Sequence, residues 1–125
     1  MTAANRQTLT PLTFLTHSAA TFPERTAVVH GARRLTYREL EDLVHRMAGA
    51  LRASGLEAGQ TVSFLCPNIP EMLAAHFAVP LAGGVLGALN FRLGTGEIAY
   101  ILEHSETRLL FVERELAGLV APLVG

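Results

Sequence analysis

Three short apolar runs punctuate the chain: Thr61 to Cys66, Val85 to Asn90 and Arg108 to Val112. Between them, apolar residues recur every three to four positions. This alternation constrains the fold more than any other feature. Each run has strand length and lacks an in–out alternation, the pattern of a strand buried on both faces of a parallel sheet. Parallel neighbours cannot be joined by a tight turn; they need a crossover, usually a helix. The order therefore predicts an α/β fold: layered helix–sheet–helix with a mostly parallel sheet and a right-handed, doubly wound core. No internal repeat or low-complexity segment competes with this reading.

Local signals place the helices. Thr10-Pro11 reads as an N-cap and an N1 proline, with Leu12, Leu15, Ala19 and Phe22 on one face and Pro23 past the end. Thr26 to His30 and Arg33 to Leu35 flank Gly31-Ala32 as a hairpin. Thr36-Tyr37-Arg38-Glu39 is a capping box, Thr at N-cap and Glu at N3. Behind it Leu40, Leu43, Val44, Met47 and Leu51 should be buried, with Gly55 at C′. A further helix is expected from about Pro70 to Leu81, bent or ended early by Pro80 and closed by Gly83-Gly84. Thr95 is expected to cap a helix from Gly96 to about Ser105, turning Ile98, Ile101 and Leu102 inward. An amphipathic helix is expected from Glu113 onward.

Composition removes several classes. The 125 residues include ten arginines and no lysine, against eleven acidic residues. A net charge of −1 lacks the basic footprint of a nucleic-acid binder, so no nucleic-acid partner is expected. With 50% apolar and 17% charged residues, the chain is not of disordered composition. The missing lysine excludes a Schiff base or P-loop lysine within it. Cys66 is the sole cysteine, which suits a reducing, cytoplasmic location. Met1 to Thr10 has no apolar core of a secretory signal. No apolar run reaches the roughly 18 residues of a membrane span; the longest, Ala78 to Leu89, is broken by Pro80 and by glycines. A domain of this length buries only about two-thirds of its unfolded surface, so part of the apolar content is expected to face a neighbour.

Four segments carry a resemblance. Leu35-Thr36-Tyr37-Arg38-Glu39-Leu40 resembles the first core motif of the adenylate-forming enzymes, which include the AMP-forming acyl-CoA synthetases. Leu81-Ala82-Gly83-Gly84-Val85 followed by Ala88-Leu89-Asn90 is similar to their second motif. Asn90-Phe91-Arg92-Leu93 with Glu97-Ile98-Ala99-Tyr100-Ile101-Leu102 resembles the acyl-CoA synthetase version of the next segment, and so does Pro67-Asn68 followed by Pro70-Glu71. The likeness spans roughly residues 9–125. It implies a parent that joins a carboxylic acid, fatty or aryl, to AMP and passes the acyl group to coenzyme A, using ATP and Mg2+. It also implies that the phosphate loop and the catalytic lysine lie downstream. No catalytic, cofactor-binding or metal-ligating residue of the family falls on any position here. The expectation is a flexible N-terminus over residues 1–8 and, over 9–125, an N-terminal fragment of a synthetase large domain. That fragment would be inactive alone and bind none of the parent's cofactors. Its partner would be the remainder of the parent, with self-association through exposed apolar surface.

Other candidates have two readings each. Gly94-Thr95-Gly96-Glu97-Ile98-Ala99, with Glu113 at the end of the next strand, approaches the dinucleotide fingerprint. Against it, Asn90 to Leu93 separates the strand from the first glycine, and a loop with a Thr cap explains the string equally. His17, His30, His45, His76 and His104 show no zinc spacing. His76, on a largely apolar helix, reads as a pocket residue or as a half-buried ring with a hydrogen-bond partner. Cys66 reads as a nucleophile at a strand end or as a small buried hydrophobe. Glu39, Glu41 and Asp42 suit the first turns of a helix. Arg33, Arg34 and Arg38 could meet a phosphate or form a solvated hairpin end. Arg92 could line a substrate or subunit interface or bond loop carbonyls. Two function classes follow: a synthetase fragment, or a stand-alone module that binds a dinucleotide or a partner without catalysis.

Overall fold

The computed structural model describes residues 7–124; residues 1–6, most of the segment expected to be flexible, lie outside them. Helix α1 (Pro11–Thr21) leads into an antiparallel hairpin of β1 (Thr26–His30) and β2 (Arg33–Thr36). Helix α2 (Tyr37–Ala53) follows. Then β3 (Thr61–Leu65), α3 (Pro70–Leu81), β4 (Val85–Ala88), α4 (Thr95–His104) and β5 (Thr107–Val112) alternate. The sheet has the order β4-β3-β5 and is wholly parallel.

The two faces of β3 define the layers. Val62, Phe64 and Cys66 pack with Leu51 and Leu56 and with Met72, Ala75 and Val79 of α3. Leu65 faces the other way, onto Ile98 of α4, Leu89 and Val120. A third cluster joins Leu15 of α1, Leu40, Val44 and Ala48 of α2, and Ala74 and Ala78 of α3. The helix–sheet–helix layering and the parallel sheet are thus as the apolar runs imply.

The capping box also forms. The Thr36 N–H donates to Glu39 Oε2 at 2.8 Å, and the Glu39 N–H to Thr36 Oγ1 at 3.2 Å. At the first helix Thr10 is the N-cap, as expected, and its N–H donates to Thr13 Oγ1 at 3.3 Å. Gly83 closes α3 with a φ of +89°, a conformation that costs a side chain about 1 kcal/mol or more.

Several expectations are corrected. Phe22 is exposed, with the Arg25 guanidinium 4.9 Å above its ring, because the chain turns away at the end of α1. Pro80 does not end α3 early; the helix runs one residue further, to Leu81, since proline in a last turn forfeits little. The cap of α4 is Gly94, not Thr95: the Glu97 carboxylate reaches back to accept from the Gly94 N–H at 2.9 Å. Strand β4 stops at Ala88 and is an exposed edge rather than a buried strand. After Glu113 there is no continuous helix. A 3-10 turn, the short helix α5 (Ala117–Val120) and a second 3-10 turn replace it, because Gly118 and Pro122 disfavour helix propagation.

Candidate functional site

Two of the resembling segments are remote in sequence and meet in space. The chain leaves β3 through Cys66-Pro67-Asn68 and leaves β4 through Leu89-Asn90-Phe91-Arg92. Both exits lie at the carboxyl ends of parallel strands, where α/β sheets present ligand-contacting groups. Between them lies a cleft of about 460 Å³ lined by Asn68, Met72, His76, Asn90 and Arg92 and by the buried Cys66. A second groove, of about 410 Å³, shares Asn68, Met72 and His76 and continues beneath β1, against Val28, Leu73 and Phe77.

Short-range bonds set the polar groups. The Asn90 side-chain oxygen accepts from the Arg92 N–H at 3.0 Å, an Asx turn that leaves the amide nitrogen free to donate. Arg92 is exposed, its guanidinium carbon 5.9 Å from the centre of the Phe91 ring. This corrects the expectation that it bonds loop carbonyls. His76 is exposed rather than half-buried, and its Nδ1 lies 2.7 Å from the Met72 carbonyl oxygen. A carbonyl only accepts, so Nδ1 carries the proton and Nε2 of the neutral ring is left as an acceptor. No Asp or Glu lines the cleft or its continuation.

The arrangement offers polar contacts along the cleft. Cys66 is buried. Burial first, then the Glu71 and Glu113 carboxylates, pushes its thiol above the ordinary range, which suppresses the nucleophilic thiolate. Among the described residues, no group of three or more His, Cys, Asp or Glu is placed to hold a metal. Two of the three arginines of the basic group are engaged: Arg33 of β2 with Glu71 at 2.5 Å and Arg38 of α2 with Glu24 at 2.6 Å. Glu71 sits below the usual carboxylate range although burial opposes this, because Arg33 bonds it. The glycine string at 94–96 does not form a nucleotide cradle. Its helix N-terminus is taken by the chain's own Glu97 carboxylate, and β4 ends well before Gly94. Glu113 caps the following turn, accepting from the Glu115 N–H at 3.0 Å.

Sequence reasoning singled out Arg92, His76 and Cys66 but did not bring them together. The available signal was that Asn68 and Asn90 each follow a strand end. It also missed the Arg33–Glu71 pair, which nothing local encodes.

Such a chain is an α/β unit that presents side chains at the carboxyl edge of a parallel sheet. Residues 15–123 match the family described as AMP-binding enzyme, and the chain belongs to it. It is 42% identical over 116 residues to a peroxisomal acetate/butyrate–CoA ligase of Arabidopsis thaliana, covering 93% of this chain and 20% of that protein. It is likewise 42% identical over 112 residues to a peroxisomal trans-cinnamate:CoA ligase of Petunia hybrida, covering 90% and 20%. A fatty acyl CoA synthetase of Mycobacterium tuberculosis superposes with a TM-score of 0.85 at 26% identity, over 89% of this chain and 22% of that one. The chain therefore spans about a fifth of the length of the curated relatives it matches.

The family implies ATP, Mg2+ and coenzyme A. The residues present do not fit ATP or its metal: there is no lysine, no Ser/Thr/Gly-rich loop ending in one, and the glycine-rich helix start is occupied by Glu97.

Proposed function

We propose that residues 9–125 are the N-terminal part of the large domain of an AMP-forming acyl-CoA synthetase. The parent activates a carboxylic acid, fatty or aryl, as the acyl adenylate and transfers the acyl group to coenzyme A. ATP, Mg2+ and the catalytic residues belong to the parent outside this chain, and the chain alone does not adenylate. The observation that carries this reading is the match to CoA ligases over nine-tenths of this chain but only a fifth of theirs. The absence of lysine and of any phosphate loop in the sequence supports it, because cradling ATP phosphates requires such a loop. Within the parent, the acid-free cleft between Asn68, His76 and Arg92 is a contact surface, closed by the remainder of the chain. The lone, unpaired Cys66 supports a reducing compartment, and we assign the parent to the cytoplasm; relatives named peroxisomal make that organelle the competing address.

ATP–pyrophosphate exchange tests the reading. The chain alone should give none with any carboxylate, and the full product of its gene should give it with a fatty or aryl acid. The coding sequence after Gly125 should contain a Ser/Thr/Gly-rich loop ending in lysine within the next hundred or so residues. Exchange by the isolated chain, or a parent lacking that loop, overturns the reading.

A further inference from the structure

We draw no further inference here: the strongest candidate, the apolar groove between β1 and α3 that continues past Leu73 and Phe77 to Phe14 of α1, carries nothing because nothing in the structure shows what covers it.

Discussion

Ser63 and Gly87 are register partners across β3 and β4, and the serine hydroxyl fills the space where a side chain of residue 87 would begin. A Cβ built on Gly87 falls under 3.0 Å from Ser63 Oγ. That oxygen cannot simply rotate away. It lies 2.7 Å from Thr107 Oγ1, which is in turn 2.7 Å from Ser105 Oγ. Ser63 is the buried polar side chain of the sheet. The three hydroxyls satisfy one another across three segments and tie β3 to the start of β5.

Gly87→Ala should therefore destabilise the chain by about 2 kcal/mol, the scale of overpacking combined with a buried hydroxyl losing its partner. Urea unfolding measures it. Adding Ser63→Ala to Gly87→Ala should recover part of the loss, since the two changes share one contact and couple in a double-mutant cycle. Strict additivity would show that the contact does not set the cost.

The Arg33–Glu71 pair joins the hairpin to the first turn of α3, and it gives stability an acid dependence of definite sign. The Glu71 carboxyl is held below its usual range, with burial opposing and the Arg33 hydrogen bond prevailing. A depressed carboxyl contributes stability that is complete above its unfolded pKa, roughly 4.3. That contribution is lost as pH falls through the lower folded value. Glu71→Gln should flatten this part of the acid limb and leave stability near pH 7 changed by less than about 1 kcal/mol, because both side chains are more than a third exposed and solvent screens them. Urea midpoints across pH 3 to 7 check both halves; an unaltered acid limb in the variant would show that Glu71 is not the group responsible.

Glu106 adopts a φ of +50° where α4 hands over to β5, with its N–H donating to the Glu103 carbonyl at 3.0 Å. This is the position after a helix C-cap at which glycine is usual. Glu106→Gly should stabilise the chain by about 0.5 to 1 kcal/mol by releasing the left-handed strain. Glu106→Asn should give a smaller gain. Thermal melts decide it, and a loss of stability in both variants would show that the glutamate side chain contributes more than its backbone costs.

The parts of this fold legible in the sequence are those written locally. The Thr36–Glu39 box needs two residues three apart, and the spacing of Leu40, Val44 and Leu51 needs one helix face. The run at 61–66 announces a strand buried on two sides; the run at 108–112 announces a strand, but β5 is only half-buried at the sheet edge. The less legible parts depend on residues far apart in the chain. Ser63 reads as an anomaly in an apolar run until Thr107 is placed beside it. Whether Thr95 or Gly94 caps α4 turns on where the Glu97 side chain goes, and either residue fits the pattern. The cleft of Asn68, His76 and Arg92 exists because β3 and β4 are adjacent, which no motif spacing states. The tail after Glu113 keeps helical periodicity while Gly118 and Pro122 work against it, and periodicity alone gives no weight to that opposition.

Leu9 and Phe14 are 84% and 65% exposed, and Val85 and Phe111 on the two sheet edges are 53% and 43% exposed. Apolar residues on open edges form templates for pairing between copies, and contiguous apolar surface drives association. In sedimentation velocity the 13.4 kDa chain should show a mass that rises with concentration over the micromolar to millimolar range. The longer gene product should not, because the remainder of the parent covers the same surface. A 13.4 kDa monomer throughout, with one cooperative melt, would mean that the chain has no need of a neighbour, and would favour a stand-alone module over a synthetase fragment.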